Sequence, residues 1–389
     1  MWALSGGHFA ADFASGSVPA MIPFLTARFD LSYALAALLL LAVTVSSSLV
    51  QPLFGFWSDR RGVLWLIPGG IVLAAVGVGG AAVSPLYPVV VVLVFAGGLG
   101  IAAFHPEGAK FASYASGPKR ASGMSYFNVG GNAGYAVGAF ATGELVFWLG
   151  LVGGLVAMVP VLVASALIAR ELPRLSRLTP MRGSVAHENG VDDRRAMARL
   201  GLVIALRSVP WFALLAFVPL WVVAHGHSKS DGNRLLFLML LAGAIGTLVL
   251  GPVADRVGLR RTLVVTQAAI APLILAFVYI GGVVGVISLM LVGVCVVGTF
   301  GVTMVLSQLY LPRHVGMASG LSIGLAMGIG GIAAVILGAV ADAVDLRLAL
   351  TVSVIAPALG VLVCLQLPAP ARSASRAPET ARPLALTAD

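Results

Sequence analysis

Apolar residues run along this chain in stretches of about 20, the length that carries a helix across a bilayer. Short polar or glycine-containing breaks separate them almost from end to end. The stretches fall at roughly 2–27, 32–57, 63–83, 86–113, 121–143, 146–169, 198–224, 234–254, 262–282, 284–311, 316–342 and 346–367. They predict an all-α membrane protein with twelve transmembrane helices. One long polar segment interrupts the series and contains Pro173, Pro180, Gly183 and Asn189-Gly190. It divides the chain into six-helix bundles at 1–170 and 197–367 joined by a cytoplasmic linker at 171–196, with a short interfacial helix expected at 192–199. The tail at 368–389 is rich in Pro, Ala, Ser and Arg and is expected to be disordered.

The two bundles are related. Gly55-Phe-Trp-Ser-Asp59-Arg60-Arg61-Gly62 returns as Gly251-Pro-Val-Ala-Asp255-Arg256-Val-Gly258, displaced by 196 residues. Downstream, Ala121-Ser122-Gly123 returns as Ala318-Ser319-Gly320. Duplicated halves in so apolar a chain point to a transporter whose pseudo-symmetric repeats surround a central site near the bilayer midplane. Glycines inside the spans, as in Gly130-Gly131-Asn132-Ala-Gly134, follow no strand, so close helix approach explains them better than phosphate binding.

Composition sharpens this picture. The chain is 59% hydrophobic and 10% charged, where a soluble domain carries about 25% charged residues. The net charge of +9 is unevenly placed. With loops assigned alternately to two sides, Arg60, Arg61, Lys119, Arg120, the cluster at 170–199, Arg256, Arg260, Arg261 and Arg313 share one side; Arg28, Lys229, Arg234 and Arg347 take the other. The basic side is the cytoplasm, which holds both termini and requires no nucleic-acid partner. Cys295 and Cys364 lie in separate apolar spans and read as buried small hydrophobes without disulfide or metal role. The first span, with His8 and Asp12 and no basic leader, is not a cleavable signal peptide.

Ionisable groups at bilayer depth are costly and therefore candidates for function. They are His8, Asp12, His105, Glu107, Lys110 and Arg207. His8 and Asp12 are four apart and share a helix face, where carboxylate and imidazole can hold a proton between them. Glu107 and Lys110, three apart, are close enough to pair, and Pro106 should bend their helix. Asp12, Glu107, His8 and His105 are the proton-coupling candidates. Arg207, Lys110, His105, Asn128, Asn132, Gln308, Trp211 and Tyr310 are the candidates for substrate contact, although structural hydrogen bonding or packing would equally explain the neutral ones. No P-loop, His-Glu-x-x-His, Cys-x-x-Cys or Gly-x-Ser-x-Gly pattern is present, so no enzyme, metal or cofactor is expected and uphill transport would draw on an ion gradient.

The span count, the basic central loop and the duplicated Gly-x-x-x-Asp-Arg-x-Gly loop resemble the major facilitator superfamily over residues 1 to about 367. Four segments sharpen the likeness: His8-x-x-x-Asp12, Gln51-Pro52-x-x-Gly55, Phe104-His105-Pro106-Glu107-x-x-Lys110 and Val129-Gly130-Gly131-Asn132-x-Gly134-x-x-x-Gly138. Together they look like the fosmidomycin resistance branch of that family. The resemblance implies an inner-membrane, monomeric antiporter that exports a small phosphonate in exchange for protons. It also implies that Gly55, Asp59, Arg60, Gly251, Asp255 and Arg256 form gating loops, in which the two glycines allow close helix packing. The first and seventh helices line the cavity in this family. Arg207 minus the repeat offset falls beside Asp12, so these two residues are expected to face each other. Uptake of an organic anion or sugar by symport stays open, as does a lipid flippase or non-transport protein on the same fold.

Overall fold

The computed structural model describes every residue except 52, 55, 56, 58–62, 117–119, 179–190, 314 and 369–389. The gating candidates Gly55, Asp59 and Arg60, much of the expected linker and nearly all of the expected tail lie outside the described residues. The helices are α1 (Trp2–Phe29), α2 (Tyr33–Leu49), α3 (Leu66–Val83), α4 (Tyr87–Ala115), α5 (Arg120–Leu149), α6 (Val152–Leu175), α7 (Arg194–Ala224), α8 (Lys229–Val257), α9 (Leu259–Tyr279), α10 (Gly282–Tyr310), α11 (Val315–Ala343) and α12 (Leu346–Leu365). By length and composition, nine helices among the described residues can cross a membrane. The exceptions are informative. α2 is shorter, and its last turn widens into a π-helix at Val45–Leu49. α1 carries His8 and Asp12, and α5 carries a run of glycine, serine and asparagine. α1 thus carries part of a polar cluster, and α5 packs directly against it. The expected interfacial helix at 192–199 does not stand apart. Asp193 caps Ala196 N at 2.9 Å, and α7 continues without interruption into its span.

α1 is buried along most of its length, because α5 lies directly against it. Gly130, Gly134 and Gly138 recur every fourth residue and form one stripe on α5. A Cβ at these positions would collide with the carbonyl oxygens of Ser5, Phe9 and Phe13, themselves every fourth residue on α1. Removing side chains from one helix lets its backbone meet the other's carbonyls, which supplies van der Waals and Cα–H···O contact where lipid offers no hydrophobic drive. The same device joins α3 to α4 through Gly70, Gly77, Gly97 and Gly100, and α8 to α10 through Gly243, Gly246 and Gly293. Gly251 differs from expectation: nothing lies within 4 Å of a Cβ placed there. α8 makes its close approach to α10 at Gly243 and Gly246, and Gly251 turns to another face.

The two halves are tied at the end remote from the N-terminus. Asp342 of α11 accepts the first free amides of α2, Tyr33 N at 2.6 Å and Ala34 N at 3.0 Å. Helix N-termini favour a carboxylate through both unsatisfied donors and dipole. Glu144 of α5 accepts from Arg234 Nε at 2.7 Å and Nη2 at 3.2 Å, and from Ser230 Oγ at 2.6 Å, all on α8. Beneath them Asn233 Nδ2 donates to Ala20 O of α1 at 3.0 Å. At the other end Asp255 and Arg256 are exposed. Glu144→Ala combined with Asp342→Ala should therefore loosen the tied end. With both native cysteines replaced by serine, a cysteine at buried Ala20 should react faster with a water-soluble maleimide in that background than with the tie intact. Equal rates would show that the carboxylates do not hold the halves.

Candidate functional site

Where α1, α4 and α5 meet, one carboxylate sits between two imidazoles. His8 and Asp12 lie one turn apart on α1, and His8 Nε2 is 3.3 Å from Asp12 Oδ2. From α4, His105 Nε2 reaches Asp12 Oδ1, also at 3.3 Å. The other nitrogen of each ring is committed to the backbone: His8 Nδ1 to Phe127 O at 2.7 Å and His105 Nδ1 to Ile101 O at 2.9 Å. A carbonyl can only accept, so both Nδ1 atoms carry hydrogen. Each Nε2 then presents either a lone pair or a proton to the carboxylate. Two lone pairs facing an anion would repel it, so the arrangement is satisfied when a proton, on a ring or on the carboxylate, or a cation occupies the contacts.

Packing fixes this geometry. The His8 ring stacks on Phe127 with centroids 4.1 Å apart and meets His105 edge-on at 5.1 Å. Phe104, fully buried, forms the floor. Gly131 makes the space: a Cβ there would collide with His8 Nε2 and stand 2.6 Å from Asp12 Oδ2. The cluster is nonetheless reachable, since the side chains of Asp12 and His105 keep 20% and 22% of their exposure.

A second charged pair lies on the same helix. Lys110 Nζ donates to Glu107 Oε2 at 3.2 Å; Glu107 is completely buried, while Lys110 is partly exposed. α4 runs unbroken through Pro106. Two positions separate His105 from Glu107, so they point to different sides of α4, and Glu107 turns from Asp12 into the packed interior.

Arg207 departs from expectation. It is buried and donates to Thr299 Oγ1 at 2.5 Å, with Cys295 and Cys364 nearby. Thr299 occupies the interruption of α10 between Val297 and Phe300 and is itself bonded to Cys295 O at 2.6 Å. Arg207 thus serves a broken helix in its own half and makes no ion pair with Asp12. Repeat arithmetic pairs Arg207 with Asp12, but the Arg207 side chain turns to Thr299. Tyr310 is also a correction: it is buried in the second half's core and its hydroxyl donates to Pro368 O at 2.8 Å. Trp211 packs half-buried against the central core. Asn132 and Gln308 are half-buried and Asn128 is exposed. Sequence reasoning missed Gly131 as part of the site, and also Thr299, Glu144 and Asp342. The Gly131 signal was available, because it lies off the stripe formed by Gly130, Gly134 and Gly138.

This fold, with its polar cluster on interior helices, defines a multi-pass membrane transporter. The Major Facilitator Superfamily model matches residues 4–334, and the chain belongs to that superfamily. It is 31% identical over 368 residues to the uncharacterized MFS-type transporter YfnC of Bacillus subtilis, covering 92% of this chain and 90% of that protein. It is 28% identical over 371 residues to the Fosmidomycin resistance protein of Escherichia coli, again covering 92% and 90%. Among solved structures it resembles a bacterial homolog of the human lysosomal transporter Spinster, inward-facing and occupied, with TM-score 0.78, 14% identity and coverage of 94% and 95%. The inward-open xylose transporter XylE of E. coli gives TM-score 0.73 at 14% identity, with the same coverage.

Gly131→Ala should drive its methyl into the His8–Asp12 contact and destabilise the protein by about 1–3 kcal/mol, the usual overpacking range. Gly251→Ala, with open space around it, should be neutral or stabilising by up to about 1 kcal/mol through helix propensity. Thermal melts in detergent compare the two; an unchanged melt for Gly131→Ala would mean that the cluster is not held as described.

Proposed function

We propose that this transporter is a proton-coupled antiporter that exports a small, anionic, phosphonate-like compound of the fosmidomycin kind. The observation that carries the reading is the Asp12 carboxylate between two imidazoles whose Nδ1 atoms are already committed. Such a cluster is completed by protons, is partly exposed, and links helices of one half only. The Escherichia coli relative's name supports the substrate class.

In this mechanism Asp12 takes up the proton, with His8 and His105 sharing it. Partly exposed Lys110 supplies the positive charge that meets the anion, and the His105 ring lines the same cavity. Glu107 holds Lys110 in place and accepts its charge when substrate leaves. Arg207 acts indirectly, by stabilising the interrupted α10. Exchange requires that the halves rock either with the anion bound or with the Asp12 cluster protonated, not with both, so that the two loads cross in opposite directions. Asn128, Asn132, Gln308 and Trp211 supply the neutral cavity wall. On the positive-inside rule both termini lie on the cytoplasmic side of a bacterial inner membrane, and the unit that works is the monomer. The tie through Asp342 and Glu144 then closes the outer face, and the segments bearing Asp59-Arg60 and Asp255-Arg256, the second in the last turn of α8, gate the inner one.

Proteoliposomes with an imposed pH gradient test the reading. Fosmidomycin should move against its gradient in the wild type. Movement should fall to the level of empty liposomes in Asp12→Asn and Glu107→Gln. Retained substrate binding in Asp12→Asn, read by calorimetry, would separate coupling from recognition. Full gradient-driven transport by Asp12→Asn would remove the proposed proton site; transport of a sugar or carboxylate while phosphonates are ignored would remove the substrate class.

A further inference from the structure

We propose that His8, Asp12 and His105 also form a binding site for one divalent cation of the zinc class. The argument is geometric and does not depend on the transport reading. Among the described residues, this is the one group of three His, Cys, Asp or Glu side chains whose ligand atoms all lie within 4.8 Å of one another. Two imidazole nitrogens and a carboxylate oxygen are a donor set suited to Zn²⁺, which commonly takes three protein ligands and leaves a fourth position open.

The distances fit the ion. Bonds of about 2.0–2.1 Å in a tetrahedron put neighbouring ligand atoms about 3.3 Å apart; each Nε2 is 3.3 Å from one oxygen of Asp12, His8 from Oδ2 and His105 from Oδ1, and one ligand atom from each residue lies within 4.8 Å of the others. The supporting interactions are already in place as well. Metal-bound histidines usually donate their other ring nitrogen to a backbone carbonyl or carboxylate, which sets tautomer and ring direction. Here Phe127 O and Ile101 O do this for both rings, so each Nε2 faces Asp12 and a small closing of the carboxylate and rings completes the site.

Access and charge agree. The partial exposure of Asp12 and His105 gives an ion a route in and leaves room for a water or an anionic oxygen as fourth ligand. Placed between a carboxylate and two neutral imidazoles, a divalent cation leaves the site with one net positive charge. The ion would fasten α1 to α4, and through His8 and Phe127 would also draw on α5. Gly131 leaves the space in which His8 and Asp12 meet it. Spacing along the chain conceals the site, because its third ligand arrives from another helix.

The test uses the full-length protein in detergent, titrated with ZnCl₂ and with CoCl₂ as a spectroscopic stand-in. The expected result is one Zn²⁺ per chain by calorimetry, a rise in melting temperature with Zn²⁺, and visible d–d absorption from Co²⁺ in a low-symmetry nitrogen–oxygen site. X-ray absorption on the Zn²⁺-loaded wild type should count two imidazoles, a readout that needs no variant. His105→Gln should weaken binding by more than the about 10–100-fold that loss of a supporting partner costs. His225→Gln/His227→Gln, two positions apart on the loop between α7 and α8, should leave binding unchanged. Absence of Co²⁺ absorption, fewer than two imidazoles, or binding that follows His225 and His227 would overturn the proposal. Failure to bind Zn²⁺ would leave proton-driven transport untouched, so the two readings fall separately.

Discussion

The structure turns on a carboxylate that cannot rest between two imidazoles unless positive charge joins them. Asp12 alone would be a costly group at bilayer depth. His8 and His105 reduce that cost only when a proton, on a ring or on the carboxylate, or a cation occupies the contacts, because Phe127 O and Ile101 O have fixed the other nitrogens as donors. The backbone of two helices therefore dictates the chemistry of the site. A free imidazole could flip its ring or exchange tautomers to suit a neutral state; these cannot.

The surrounding architecture serves that constraint. Three elements must approach closely enough for their side chains to converge, and in lipid small residues provide the approach. The stripe of Gly130, Gly134 and Gly138 brings α5 onto the carbonyls of α1, which in turn places Phe127 O under His8 and leaves the Gly131 gap above Asp12. The first half thus contains a complete cluster. The second half answers it with a broken helix held by Arg207 and with the groups that meet it at the tied end, the acceptor Asp342 and the donor Arg234 on Glu144. An arrangement that keeps the ionisable cluster in one half and anchors at its edge is suited to rocking one half against the other.

Much of this was legible in the sequence, and the reasons are specific. Spans announced themselves through apolar length, and the duplicated Asp-Arg loop announced the halves. The four-residue spacing of His8 and Asp12 and the three-residue spacing of Glu107 and Lys110 encode contacts within one helix, and both are made. What failed were contacts between helices. Nothing in spacing says that His105 turns to Asp12 while Glu107 turns away. Repeat offset paired Arg207 with Asp12, but side-chain direction sent it to Thr299. Gly251 was expected to press on a neighbour, yet helix crossing had already spent the close approach at Gly243 and Gly246. Tyr310 was offered to a ligand, and a hydroxyl bond to Pro368 O claimed it instead.

The most direct measurement is solid-state nitrogen NMR of histidine-labelled protein in liposomes, with the signals of His8 and His105 assigned by single glutamine replacements. The account predicts that both rings keep a proton on Nδ1 at every pH, that only Nε2 gains or loses one, and that Asp12→Asn alters both rings at once. A ring found with Nε2 protonated and Nδ1 bare would contradict it, because the carbonyl contacts that define the site would then be absent.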